Sequence, residues 1–144
     1  MPANTIPIFP ISPKVSWGKV TAANIAKDGT GVVVTLITAG ANGMKLDAIH
    51  VRALGTNVAT VLRLFINNGA DPTAATNNTL IHEKTIVATT LSEVAELLDN
   101  DITVVLGAET ICPILYLPAG FKINMTIGTA VAAGLQVTAF GGDY

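Results

Sequence analysis

Hydrophobic and polar positions alternate with a period of two along much of this chain, and one alternating stretch occurs twice. Between residues 44 and 54, Ile49, Val51 and Ala53 alternate with Ala48, His50 and Arg52. Between residues 61 and 67, Leu62, Leu64 and Ile66 share one face, and Val61, Arg63, Phe65 and Asn67 share the other. Such spacing predicts half-buried strands, because successive Cβ atoms point to opposite sides of a sheet. Residues 43–69 return in weaker form at 120–142. Each copy begins Gly, a large apolar residue, Lys, a branched apolar residue, then Asp or Asn. Each passes through Gly-Thr-x-Val-Ala, at 55–59 and 128–132, and ends in an apolar run closed by glycine. In the second copy Ile123, Met125 and Ile127, then Leu135, Val137 and Ala139, supply the apolar face; Gln136, Thr138 and Phe140 take the other.

The repeat predicts two related hairpins. Gly55 and Gly128 open the shared turn, where a positive φ would favour glycine. If Ile49 and Leu62 face one core, Arg52 and Arg63 share the opposite face, since strand register follows the buried face.

The remaining chain reads mostly as short strands between turns. Residues 17–25 predict a strand, followed by an Asp28-Gly29 turn and a β-branched run at 32–38. Asn42-Gly43 marks the next turn, and residues 68–78 form a polar loop. Residues 79–88 alternate again, and 102–106 and 111–117 are short strand candidates. The one helical signal is Leu91, Val94, Ala95 and Leu98, with Thr90 and Glu93 at capping-box spacing. It predicts a short helix or an irregular segment over 89–101. Eight or nine short strands with turns every eight to twelve residues predict an all-β fold. The expected architecture is an antiparallel β-sandwich, jelly-roll-like, with at most one short helix.

Prolines at 2, 7, 10 and 13 set residues 1–16 apart. Proline fixes φ and removes a donor, so this stretch predicts an extended arm ahead of a single domain at 17–144. Ile6, Ile8, Phe9 and Ile11 are interleaved with the prolines. The arm packs either on its own domain or on a neighbouring subunit.

Composition adds to this picture. The 144 residues suit one domain with a core that needs no disulfide or metal. Half are apolar and 12% are charged, against about 25% in ordinary soluble domains. The surface is thus largely neutral, either simply soluble or covered by a partner. A net charge of −2 gives no basic field for nucleic acid. No run reaches the roughly 18 apolar residues of a membrane span, and the first residues lack a basic, secretory-type start, so synthesis in the cytoplasm is expected.

Chemistry is sparse. Cys112 is the single cysteine and sits in an apolar run, as a buried thiol would. His50 and His82 have no second ligand at metal spacing. Asp99 and Asp101 lack the rest of a calcium loop. Glu93 and Glu96 have no partner acid, and Ser12, Ser16 and Ser92 lack a nucleophile-elbow context. No catalytic residue, cofactor or metal is expected. The Arg52 and Arg63 pair is either solvated or placed to grip an acidic group from a neighbouring chain, which the guanidinium fork suits.

The string TAGANGMKLDAIHVRALGTNVATVLRLFINNG, with LPAGFKINMTIGT and the terminal FGGDY, resembles small virion structural proteins of tailed bacteriophages, the decoration or cement proteins of the capsid. The resemblance implies a non-enzymatic β-sandwich on the capsid surface of the virion. It implies a homo-oligomer, a trimer favoured, bound to the major capsid protein. The contact elements it implies are the 68–78 loop and the arm. With the residues singled out above, the candidate contacts are Ile6, Ile8, Phe9, Ile11, Arg52 and Arg63. Two rivals are a tail or baseplate component and a carbohydrate-binding sandwich, for which Trp17 and Tyr144 are the free aromatics. A hydrolase on the same scaffold would need converging acids or a metal cluster.

Overall fold

A computed structural model describes residues 9–97, 99–102, 105–106, 109–110 and 115–144, with backbone alone at 99–101, 105–106 and 109–110. The strands are β1 (Ser12–Val20), β2 (Val34–Thr38), β3 (Met44–Ala53), β4 (Thr60–Asn67), β5 (Asn78–Ile86) and β6 (Asp99–Ile102). They continue as β7 (Val105–Leu106), β8 (Glu109–Thr110), β9 (Leu115–Leu117), β10 (Lys122–Ile127) and β11 (Leu135–Asp143). A 3-10 turn at Ala75–Asn77 is the one helical element among the described residues.

Two antiparallel sheets face each other. The first runs β1-β11-β3-β6, with β9 also on β3; the second runs β2-β10-β4-β5. Strands β6 and β9 pair with opposite ends of β3, at Ile49–Arg52 and Met44–Leu46, and share one position in the sheet. The pairing is nested: β1 with β11, β2 with β10, β3 with β6 and β9, and β4 with β5. That is one long antiparallel ribbon rolled until its two halves stack, the jelly-roll topology.

The repeat is real, but its arms are not hairpins. In each copy the first arm lies in one sheet and the second arm crosses to the other. The first copy's β3 pairs with the second copy's β11, and β10 pairs with β4. An approximate two-fold therefore relates the copies, each acting as a corner between sheets. Consequently Arg52 and Arg63 stand in different sheets and share no face, which corrects the sequence expectation. The face assignments within each arm hold. Met44, Leu46, Ile49 and Val51 from the first sheet meet Leu62, Leu64, Ile123, Met125 and Ile127 from the second in one buried core. Each such side chain contributes about 1.5–3 kcal/mol by leaving water. A bulge in the β3–β11 pairing skips Asp47, so Leu46 and Ile49 both point inward.

Positive φ falls at the start of each copy, at Gly43 (+87°) and Gly120 (+74°), and not at Gly55 or Gly128. The shared Gly-Thr corner therefore needs no left-handed residue. At Gly55 the demand is close approach instead, since a Cβ there would stand 2.9 Å from the Ala133 methyl.

The predicted first strand starts earlier than residue 17, because β1 pairs along its whole length with β11 from Ser12 onward. Pro13 is tolerated there because β1 is an edge strand. The open seam between the β1 and β2 edges is closed by side chains. Ser16 Oγ donates to Leu36 O at 2.6 Å, and Lys14 Nζ donates to Thr38 O and to Asp143 Oδ2 at 2.8 Å. Of the two readings for 89–101, the described residues take the irregular one. Ser92 Oγ accepts from the N–H groups of Val94 and Ala95, an ST-type turn, and strand pairing begins at Asp99.

Candidate functional site: the outer face of the first sheet

A sandwich has two outer faces, and this chain treats them differently. The loop between β1 and β2 lies across the outer face of the second sheet. Ala23 bridges to Ile127, and Asn24 N–H donates to Ile127 O at 2.7 Å. Asn24 Nδ2 then donates to Thr30 O and Val32 O, at 2.7 and 2.9 Å, holding the loop in shape. Gly29 packs so closely that a Cβ would fall 2.6 Å from Asn78 Cβ and 3.1 Å from the Phe65 ring.

Under that loop the outward side chains of β4 are buried: Phe65 and Asn67 are fully hidden and Arg63 is 8% exposed. Arg63 Nε donates to Glu83 Oε1 at 2.8 Å, and its Nη1 donates to Asn24 O at 3.1 Å. That hydrogen bond holds the Glu83 carboxyl below its ordinary value, against a smaller upward push from burial. Arg63 is thus engaged within its own chain, and it joins no pair with Arg52 awaiting a neighbour's acid.

Among the described residues, no loop lies across the outer face of the first sheet in this way. Antiparallel registers place Val15 opposite Phe140, and Phe140 opposite Ala48. The next row is Trp17, Thr138 and His50; the one after is Lys19, Gln136 and Arg52. Trp17 is 65% exposed, Phe140 is 41% exposed, and Val15 is also exposed. Tyr116, opposite Lys45 on β9, is a further exposed aromatic on this sheet. Toward the far end Lys45 Nζ meets Asp47 Oδ1 at 2.7 Å, and this hydrogen bond raises the Lys45 pKa. The face is therefore apolar and aromatic across β1 and β11, with charge toward its two ends. Alternation along β11 had put Phe140 with Gln136 and Thr138; an aromatic on a polar face was the available signal. Val15 carried none, because residues 1–16 read as an arm.

The arm's described end lies beside this face. Phe9 and Ile11 are exposed, while Ile6, Ile8 and Cys112 lie outside the described residues. Arg52 edges an open groove of about 410 Å³ with Leu54, Leu91, Glu93 and Glu96, and register sets it opposite Asp99. The polar 68–78 loop is tied internally: Asn68 Nδ2 donates to Asn77 Oδ1, and Asn78 Nδ2 donates to Pro72 O. Beside it Ile66, Asn77 and Phe121 line a hollow of about 190 Å³. Tyr144 is half-buried, its N–H donating to Gly43 O.

Polar side chains elsewhere serve the fold. Ser16 and Ser92 are used by backbone groups as described. His82 Nε2 is buried without a hydrogen-bond partner, and burial, aided by Lys84, lowers its pKa. Among the described residues no three His, Cys, Asp or Glu side chains group to hold a metal ion. No helix there is long and apolar enough to cross a membrane. Comparison with protein families, curated proteins and solved structures finds no match to this chain.

Proposed function

We propose that this chain is a non-enzymatic structural protein of a tailed-phage virion, decorating or cementing the capsid shell as a homo-oligomer. The observation that carries the reading is the exposed apolar and aromatic row of Val15, Trp17 and Phe140 beside exposed Phe9 and Ile11. A contiguous apolar patch of this kind on a small domain marks an interaction surface. The jelly roll is compatible with the role but does not select it, since folds host many functions. The phage context rests on the resemblance of residues 38–69, 117–129 and 140–144 alone. Low charge fits a surface largely occupied by neighbours. Co-sedimentation of the purified chain with capsids of candidate tailed phages tests the proposal. Saturable binding, abolished by Trp17→Asp, is expected. Absence of binding to any capsid, with co-sedimentation on isolated tails, would move the chain to a tail or baseplate role.

One observation favours a second reading. Trp17 and Tyr116 present exposed rings on one sheet face, the type of platform that stacks on sugars. A glycan array in which Trp17→Ala removes a specific signal would support the carbohydrate-binding module.

A further inference from the structure

The described chain begins with two large side chains that its own fold leaves bare: Phe9 is 73% and Ile11 is 79% exposed. The backbone beside them is nonetheless fixed. Ile11 N–H donates to Asp143 O at 3.0 Å, and Pro10 seats on Gly142, where a Cβ would come within 2.7 Å of Pro10 Cβ. Gly142 lies in register between Pro13 and Lys45, at one corner of the first sheet's outer face. Pro10 therefore rests at the Gly142 end of this face, while Phe9 and Ile11 stay exposed beside it.

Each copy thus carries one apolar donor segment and one apolar receiving face. Their electrostatics match as well. Residues 1–11 contain no charged side chain, and the Val15–Phe140 centre of the face is uncharged, with Lys19 and Lys45 toward its ends. A proline-restrained segment also loses little freedom on docking.

We infer that the arm of one copy lies across the first sheet's outer face of the next copy, with Phe9 and Ile11 against Val15, Trp17 and Phe140. Such a donor-to-acceptor contact repeats head to tail, and it closes into a ring when the rotation per copy allows. The assignment rests on the self-association within the proposed structural role, but its test needs no virion.

Light scattering on the eluting full-length chain should give a fixed multiple of the 14.8 kDa monomer. The double variants Phe9→Asp/Ile11→Asp and Trp17→Asp/Phe140→Asp should each elute as monomers that still melt cooperatively. Mixing the two should restore a heteromeric species, because the second variant keeps a good arm and the first keeps a good face. Should either double variant fail to fold, oxidising Phe9→Cys mixed with Val15→Cys, both on Cys112→Ser, should give a covalent dimer of unlike chains. A monomeric full chain at its highest soluble concentration would overturn the inference. So would assembly that survives both double variants, a mixture that stays monomeric, or the absence of the mixed cross-link. Capsid binding by a monomeric chain would sink the arm exchange and leave the virion role standing.

Discussion

Phe65 and Phe140 both point away from the core, each from the outer face of its own sheet, and truncating them should have very different consequences. A phenylalanine side chain buries about 150–250 Å² when enclosed. At about 25 cal/mol per Å² that is roughly 4–6 kcal/mol. Allowing about 10–40% for a compact unfolded chain leaves roughly 2.5–5.5 kcal/mol. Phe65 is fully hidden beneath the loop at Gly29, so Phe65→Ala also leaves a cavity that the tied loop cannot fill. A loss of about 4 kcal/mol is expected, within the usual range for Phe→Ala in cores. Phe140 is 41% exposed, and the same sum scaled by its buried remainder gives roughly 1.5–3 kcal/mol. The lower end applies to Phe140→Ala, since truncation at an open surface seals no cavity. Urea unfolding at low protein concentration should separate the variants by about 2 kcal/mol at equal m-value. At high concentration the Phe140→Ala deficit should grow while the Phe65→Ala deficit does not, because association stabilises the folded chain by mass action. Equal losses at low concentration would refute the asymmetry between the two outer faces.

Gly43→Ala should lower the melting midpoint more than Gly120→Ala. Both have positive φ, but a Cβ at Gly43 would stand 2.8 Å from Leu117 O, whereas at Gly120 nothing lies within 4 Å; the reverse order in thermal scans would count against these turn geometries. Burial pushes the Asp143 carboxyl up, but the Lys14 hydrogen bond, the Gly40 N–H and the Lys14 charge outweigh it and hold its pKa below the ordinary value. Its contribution is therefore present above the unfolded pKa of about 3.9 and lost as pH falls through the lower folded value, so Asp143→Asn should flatten the loss of stability below about pH 4. An unchanged acid profile in the variant would remove Asp143 as a contributor. Deleting residues 1–11, which leaves β1 intact, should preserve cooperative melting by circular dichroism while lowering the mass seen by light scattering.

Strand content and face assignment were legible in the sequence because they depend on local alternation. Leu62, Leu64, Met125 and Val137 point inward as their period-two spacing requires. Strand partners were not legible. The arms around Gly55 are close in sequence, so a hairpin was the economical reading, yet the corner there carries the chain across the core to the other sheet. Nothing local distinguishes a hairpin from such a crossing, since both need a reversal between two alternating runs. Arg63 was misplaced for the same reason: its face was right, but the loop that buries it comes from residues 21–33, some forty positions earlier. Between a helix and an irregular segment near Leu91, Val94 and Ala95, the irregular one prevails because Ser92 takes the Val94 and Ala95 N–H groups into its own turn and those side chains stay exposed. For the candidate site, the proline-rich arm singled out Phe9 and Ile11 but left open whether they pack on their own domain, whereas the Val15–Phe140 row emerges only when the two ends of the chain pair.

The approximate two-fold sharpens the contrast between the two outer faces. Superposing the Gly-Thr-x-Val-Ala corners sets Leu62 with Leu135 and Leu64 with Val137 on the core side. On the outer side it sets Arg63 with Gln136, Phe65 with Thr138 and Asn67 with Phe140. Equivalent strands could have been finished in equivalent ways. Instead, the second sheet's set requires a cover that supplies polar partners, and the β1–β2 loop brings Asn24 O to Arg63. The first sheet's set asks for no polar partner at Phe140, and β1 adds Val15 and Trp17 beside it. A cover for this face has to be apolar rather than hydrogen-bonding. Among the described residues, the exposed apolar segment at the chain's start, Phe9 and Ile11, meets that requirement. The same chain end whose β1 completes the first sheet therefore carries both part of the face and an apolar segment suited to cover it, as the proposed exchange of arms between copies requires.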